Sequence, residues 1–141
     1  MQRMRFVKDF ALPPEKVFAY FAEHHNIGTI VKAEITVLKK GDDGDPNGLG
    51  SIRLLNPAGP APAFEETVTE LVPNETIEYK VTKGTPLNHH VGRLTFKPTA
   101  TGTHMEWKIE IGTALPGLDW VIAKVLVRQI GSGLDKVVIP G

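Results

Sequence analysis

The sequence predicts one α+β domain in which an antiparallel sheet packs against a long C-terminal helix. The chain has 141 residues, and we expect a single domain over residues 1–141, built around one core. Seven short apolar segments alternate with turns rich in Gly, Pro, Asn and Asp, a pattern typical of antiparallel strands. Near the end of the chain the apolar residues recur every three or four positions, which indicates a helix. Grouped strands with separate helices indicate the α+β class.

The composition excludes several classes of function. Basic and acidic residues both number 16, so the formal net charge is zero. Nucleic-acid-binding proteins usually show a basic excess or a basic run, and this sequence has neither. It has no cysteine, which excludes disulfides, thiolate zinc sites and a cysteine nucleophile.

The apolar stretches are short throughout the chain. The N-terminal segment MQRMRFVKDFALPP lacks the apolar region of a secretory signal. No window reaches the ~18 apolar residues of a membrane-spanning helix. We therefore expect no stable membrane insertion and a cytoplasmic location.

The first segments predict a strand and two short helices. Met4, Phe6 and Phe10 alternate with outward positions, and Lys8 is the one exception on the inward face. The segment LPPEKVFAYF has prolines suited to the first turn of a helix and an apolar stripe after them. A second helix is expected over residues 23–30, broken by Gly28.

Six further strands and one helix complete the chain. The strands are VKAEITVLKK, GSIRLL, AFEETVTELV, TIEYKVTK, LNHHVGRLTFKP and THMEWKIEIGT. The helix is expected to run for about 22 residues, or roughly 33 Å. Its inward stripe is expected to contain Trp120, Ala123, Val127, Ile130, Leu134 and Val137. Gly131 and Gly133 either give room to a close neighbour or bend or end the helix early.

Strand alternation selects the first candidate site residues. If Leu94 and Phe96 are buried, then Asn88 and His90 share their face and His89 points outward. Adjacent histidines on a strand face opposite ways, so they cannot ligate one metal. His90 in an apolar interior suits ligand binding or acid–base chemistry near neutral pH. A core histidine with its hydrogen bonds satisfied is the alternative.

The segment AFEETVTEL places a carboxylate on an apolar face. Glu66 shares a face with Val68 if the strand is regular, although a bulge near Glu65 would shift the register by one. A carboxylate inside a sheet is costly unless it is paired, and Arg53 in GSIRLL is a candidate partner. Such a pair would anchor the polar end of a ligand; an exposed cross-strand ion pair is the alternative.

Two aromatic residues complete the candidate binding set. Trp107 and Tyr79 each lie on an apolar strand face, where they would form part of a cavity wall or simply pack in the core. The loop NPAGPAPAF is either a gate to the cavity or a rigid connection.

No pattern in the sequence predicts a metal or another cofactor. His24 and His25 are neighbours on a helical turn and do not converge as ligands, and GDDGDPNG lacks the spacing of a calcium loop. The segment 22–55 is interpreted as scaffold and solvated surface. No hydrolase, zincin or phosphate-loop motif is present.

The order of elements resembles that of the Bet v 1/START-like (SRPBCC) superfamily, in particular its bacterial polyketide cyclase/dehydrase-like branch. The segments that carry the resemblance are FALPPEKVFAYFAE, GLGSIRLL, FEETVTELVPNETIEYKV and HHVGRLTFKPTATGTHMEW. The resemblance implies a helix-grip fold, in which a curved seven-stranded sheet wraps the C-terminal helix around a cavity. The tryptophan that the family often carries in its second helix region is absent here; Ile27 or Ile30 takes its place.

The resemblance implies binding of a small hydrophobic molecule, held by Arg53, Glu66, Tyr79, Asn88, His90 and Trp107. The alternative is a polyketide cyclase or dehydratase with Glu66 or His90 as its acid–base residue, so whether the protein is an enzyme stays open. A third reading is an interaction module that docks a partner protein. A homodimer is left open.

Overall fold

The computed structural model describes residues 1–141 as a seven-stranded antiparallel sheet with three helices. The strands are β1 (Gln2–Phe10), β2 (Ala33–Lys39), β3 (Ile52–Pro57), β4 (Phe64–Val72), β5 (Thr76–Lys83), β6 (His89–Thr99) and β7 (Gly102–Gly112). The helices are α1 (Pro14–Ala22), α2 (His24–Val31) and α3 (Leu118–Asp135). The expected fold class, strand number and helix number are confirmed. No helix has the length and apolar character needed to cross a membrane.

The sheet is open and follows the order β1-β7-β6-β5-β4-β3-β2. Five of its six pairings join strands that are consecutive in the sequence, and the sixth pairs β1 with β7. The first and last strands therefore lie side by side. The two short helices bridge β1 and β2, the two edges of the sheet.

Gly28 does not break the second helix, contrary to expectation. Helix α2 runs through it to Val31. A Cβ atom on Gly28 would lie 2.6 Å from the carbonyl oxygen of Ala33 and 2.5 Å from the side chain of Ile35. The glycine therefore allows α2 to lie against β2, and its small size serves packing rather than a turn.

Helix α3 is shorter than expected, and two of the six residues expected on its inward face lie outward. It ends at Asp135, so Val137 is buried beyond the helix. Trp120 and Val127, expected to be buried, are 51% and 49% exposed. The inward face carries Ala123, Ile130 and Leu134, as expected, and Ile122 and Leu126 take the places expected for Trp120 and Val127. Both sets fit a helical period, so only the packing against the sheet decides between them.

Lys8, the exception in the alternation of β1, has a structural role. Its Nζ donates to the carbonyl oxygen of Leu134 at 2.6 Å and to that of Val137 at 3.3 Å. The Leu134 carbonyl lies in the last turn of α3 and also accepts from the Val137 N–H at 3.1 Å, and Val137 lies just beyond the helix. The inward lysine therefore caps the C-terminal helix from the opposite end of the chain.

The C-terminal part of α3 packs closely against α2 and β1. A Cβ atom on Gly133 would lie 2.2 Å from the carbonyl oxygen of Ile30, so the two helix backbones are in direct contact there. Ile130 and Leu134 are 1% and 4% exposed. We call this region, Ile130–Leu134 of α3 with Ile30 and Lys8, the closed end of the sheet–helix interface.

Candidate functional site

A cavity of about 330 Å³ lies between the sheet and the N-terminal part of α3. Apolar side chains from α2, β3, β7 and α3 form most of its wall, among them Ile27, Leu55, Ile109, Ile122 and Leu126. Ile130 also lines it, at the point where the cavity meets the closed end. The polar or partly polar residues that line it are Glu66, Tyr79, Thr85, His90, Trp107 and Gln129. We call this region the open end of the sheet–helix interface.

The cavity opens toward solvent between α3 and two loops. Val121 and Val125 of α3 line it and are 52% and 51% exposed. Ala61 and Pro62 contribute from the loop between β3 and β4, and residues 84–87 contribute from the loop before β6. The proline-rich segment NPAGPAPAF therefore borders the entrance.

Glu66 is paired with Arg53 inside the protein. Arg53 on β3 lies directly opposite Glu66 on β4. Arg53 is 4% exposed and Glu66 is 5% exposed. Arg53 Nε and Nη2 donate to Glu66 Oε1 at 2.8 and 2.6 Å. A register shift does occur between Glu65 and Glu66 in the pairing with β5, yet it leaves Glu66 on the inward face. The pair is buried, as a carboxylate in this environment requires.

His24 completes this network, although it lies in the segment 22–55 that was expected to be scaffold and solvated surface. It is 1% exposed, and its Nδ1 lies 3.0 Å from Arg53 Nη1. Because arginine has only donors, Nδ1 accepts and Nε2 carries the hydrogen. Nε2 then donates to the carbonyl oxygen of Pro46 at 2.9 Å, with Ser51 Oγ at 3.0 Å. Burial, together with the charge of Arg53, lowers the pKa of His24 to about 4.

A signal for His24 was present in the sequence. Its spacing to Ile27 and Val31 is three and seven residues, which places it on the apolar stripe of α2. The adjacent His25 is exposed, so the pair does not act together. No group of three or more His, Cys, Asp or Glu side chains is arranged to hold a metal ion. In GDDGDPNG, Asp43 and Asp45 accept from nearby backbone N–H groups and shape the turn.

Tyr79 and Trp107 form a hydrogen-bonded aromatic pair in the cavity wall. Trp107 Nε1 donates to Tyr79 Oη at 3.1 Å, and the rings meet edge to face. Gly92 makes room for the tyrosine ring, since a Cβ there would lie 2.1 Å from Tyr79 Cζ. Burial and the charge of Glu66 raise the pKa of Tyr79, so its hydroxyl stays neutral.

His90 lines the same cavity from β6. Burial lowers its pKa, while the nearby charge of Glu66 opposes that shift. The imidazole makes no side-chain hydrogen bond within the protein, in contrast to His24. Its ring nitrogens are therefore available to a molecule in the cavity.

The structure separates the sequence-derived site residues into three groups. Glu66, Tyr79, His90 and Trp107 line the cavity. Arg53 lies behind Glu66 and does not line it. Asn88 is exposed and does not line it either, contrary to expectation. The strand begins one residue later, at His89, so alternation along β6 does not set the direction of Asn88.

The comparisons with known proteins agree with this architecture. The family model for polyketide cyclase / dehydrase and lipid transport matches residues 1–138. No curated protein matches the sequence.

Among solved structures, three show the range of relatives. A START superfamily protein from Mycobacterium smegmatis has a TM-score of 0.75 at 15% identity, covering 94% of each chain. The Zhui aromatase/cyclase from Streptomyces sp. R1128 has a TM-score of 0.74 at 16% identity, covering 96% of this chain and 92% of that one. Ara h 8.0201 has a TM-score of 0.66 at 14% identity, covering 96% and 99%. At these identities the likeness shows a shared fold.

The family match spans nearly the whole chain, and the shared fold places the cavity between the sheet and α3. This chain therefore belongs to the polyketide cyclase/dehydrase and lipid transport family and has the helix-grip fold of START and Bet v 1-like proteins.

Proposed function

We propose that this protein binds a small, mainly apolar molecule in the cavity at the open end. The observation that supports this is the cavity itself, whose volume of about 330 Å³ lies within the range of small-molecule sites. Its wall is mostly apolar, and four of its polar or partly polar residues, Glu66, Tyr79, His90 and Trp107, lie on neighbouring strands of one sheet face. Such a combination fixes the orientation of a ligand while apolar contacts supply the affinity.

The geometry also favours a second candidate function, catalysis of a cyclisation or dehydration. His90 is neutral at pH 7 because burial lowers its pKa, and its ring nitrogens have no protein partner. A neutral imidazole in an apolar cavity is able to accept a proton from an activated carbon. In this proposal His90 is the base, and Glu66 stabilises the imidazolium that forms.

The first experiment is native mass spectrometry of gently purified protein, with a denatured aliquot and its organic extract measured in parallel. A bound species that is lost on denaturation is expected, and the extract gives its chemical class. The matched variants are Leu126→Trp, which fills the cavity, and Val127→Trp, on the exposed face of the same helix.

We expect Leu126→Trp to abolish the bound species and Val127→Trp to keep it. Retention in both variants would contradict the cavity as the binding site. Once the ligand is known, His90→Gln separates the two functions. If His90→Gln loses turnover but keeps its affinity for the ligand, catalysis is supported. If the unmodified protein returns the ligand unaltered after incubation, binding alone is supported.

A further inference from the structure

Arg53 lies behind the cavity wall and donates its hydrogen bonds to other residues of the protein. Arg53 directs Nε and Nη2 to Glu66 Oε1 and Nη1 to His24 Nδ1. Its guanidinium lies 5.1 Å from the centroid of the Tyr79 ring. Arg53 is not part of the cavity lining, and no other arginine and no lysine lines the cavity. A ligand in the cavity therefore meets no cation.

The cavity does present an anionic acceptor. Both hydrogen bonds from Arg53 end on Oε1 of Glu66, and Oε2 has no hydrogen-bond partner in the protein. A carboxylate oxygen accepts hydrogen bonds and does not donate them. Glu66 lines the cavity, so its free oxygen is available to a donor on the ligand.

A hydroxyl donor lies beside this acceptor. Tyr79 Oη accepts from Trp107, and its own O–H has no acceptor within the protein. Glu66 pairs with Val81, and Val68 pairs with Tyr79. Glu66 and Tyr79 are therefore diagonal neighbours on adjacent strands, close enough for both to contact one group of a ligand.

We propose that the cavity selects uncharged apolar molecules that carry a hydroxyl group and excludes free carboxylates, such as fatty acids and aromatic acids. This inference rests on the proposed binding function. The ligand hydroxyl donates to Glu66 Oε2 and accepts from Tyr79 Oη, which satisfies both groups at once. A carboxylate ligand would face Glu66 in a low-dielectric site with no cation to offset the repulsion.

Three probes with the same apolar body test the proposal: 4-propylphenol, its methyl ether and 4-propylbenzoate. Their affinities for the full-length protein are measured at pH 7 by calorimetric titration. Loss of one hydrogen bond to a charged group corresponds to about tenfold in affinity or more. We expect the phenol to bind about tenfold more tightly than the ether, and the benzoate to bind most weakly.

Two variants locate the selectivity. Replacing both charges together, Arg53→Met with Glu66→Leu, avoids an unpaired buried charge and is expected to bring the phenol and the ether within about twofold. Tyr79→Phe keeps both charges and should remove only part of the preference, so the test does not depend on the double variant folding.

The outcomes separate this inference from the proposed function. Equal affinities for the three probes, or tightest binding of the benzoate, would overturn the selectivity and leave cavity binding intact. Failure of every probe to bind at millimolar concentration would overturn the cavity as a binding site, and the selectivity with it. An unchanged phenol preference in both variants would also overturn the role of Glu66 and Tyr79.

Discussion

The two ends of the sheet–helix interface differ in how closely the helix approaches its neighbours. At the closed end, Gly133 brings the α3 backbone against the Ile30 carbonyl, and Ile130 and Leu134 are almost fully buried. At the open end, Val121 and Val125 leave a cavity of about 330 Å³ beneath them. One helix therefore packs closely at its C-terminal end and borders a cavity at its N-terminal end.

The polar groups follow the same division. The buried Arg53–Glu66–His24 network lies behind the open end, whereas Lys8 and the half-buried Ser132 are the polar side chains of the closed end. Buried charge is costly unless it is paired, as Arg53 and Glu66 are. The closed end therefore contributes close packing, whereas the buried charges lie beside the cavity in which we propose that a ligand binds.

Breaking the buried ion pair should have the largest effect. Glu66→Leu leaves the Arg53 charge without its partner, and we expect the free energy of unfolding to fall by about 3–5 kcal/mol. Glu70→Leu is the control, because Glu70 pairs with Arg93 on the outer face of the sheet. Urea unfolding gives the free energy of unfolding of both variants. Equal small decreases would show that the stability of the Arg53 network does not depend on the Glu66 carboxylate.

The pH dependence of stability should come next in size. The pKa of His24 is lowered from 6.5 to about 4 in the folded state, so the unfolded chain binds more protons as the pH falls. His24 therefore contributes stability that is present above about pH 6.5 and is lost as the pH falls toward 4. We expect a loss of about 2 kcal/mol between pH 7 and pH 5.

Two matched variants assign this dependence. His24→Gln keeps an acceptor for Arg53 and a donor for Pro46 but does not titrate, so unfolding free energies measured across this range should vary much less with pH. His90 has a lowered pKa and contributes in the same direction, so some dependence remains. His25→Gln, on the exposed face of α2, should keep the full dependence. The same slope in both variants would exclude His24 as its main source.

A pair of glycines in one helix tests the close approach at the closed end. Gly133→Ala places a methyl group against the Ile30 carbonyl and should destabilise the fold by about 1–3 kcal/mol. Gly131→Ala projects into open space and should stabilise by up to ~1 kcal/mol through helix propensity. Thermal unfolding of both variants compares them directly, and effects of the same sign would contradict the close contact at Gly133.

The smallest expected effect is at the helix cap. Lys8→Met keeps the length and apolar stem of the side chain but removes the donor to the carbonyls of Leu134 and Val137. We expect a loss of about 1 kcal/mol, and faster amide hydrogen exchange in the last turn of α3. Lys16→Met on the exposed face of α1 is the control, and a matching loss there would remove the cap as the explanation.

The sequence alone predicted burial correctly where alternation along a strand determines the face of the sheet on which a side chain lies. Alternation placed Trp107 and Tyr79 on apolar strand faces, and they are 0% and 3% exposed. The pairing of Arg53 with Glu66 followed from the cost of a buried carboxylate and the presence of one inward arginine. Asn88 was misplaced because alternation has no meaning outside the strand.

By itself, the sequence determined the α+β class, the seven strands, the three helices and most of the inward residues of the sheet, since these depend on local periodicity and turn chemistry. Only the tertiary structure decided that Trp120 and Val127 of α3 lie outward, that His24 joins the Arg53 network, and that the cavity lies at one end of the helix. These features depend on contacts between segments that are far apart in the chain. Examples are Gly133 of α3 against the Ile30 carbonyl of α2, and Lys8 of β1 against the Leu134 carbonyl of α3.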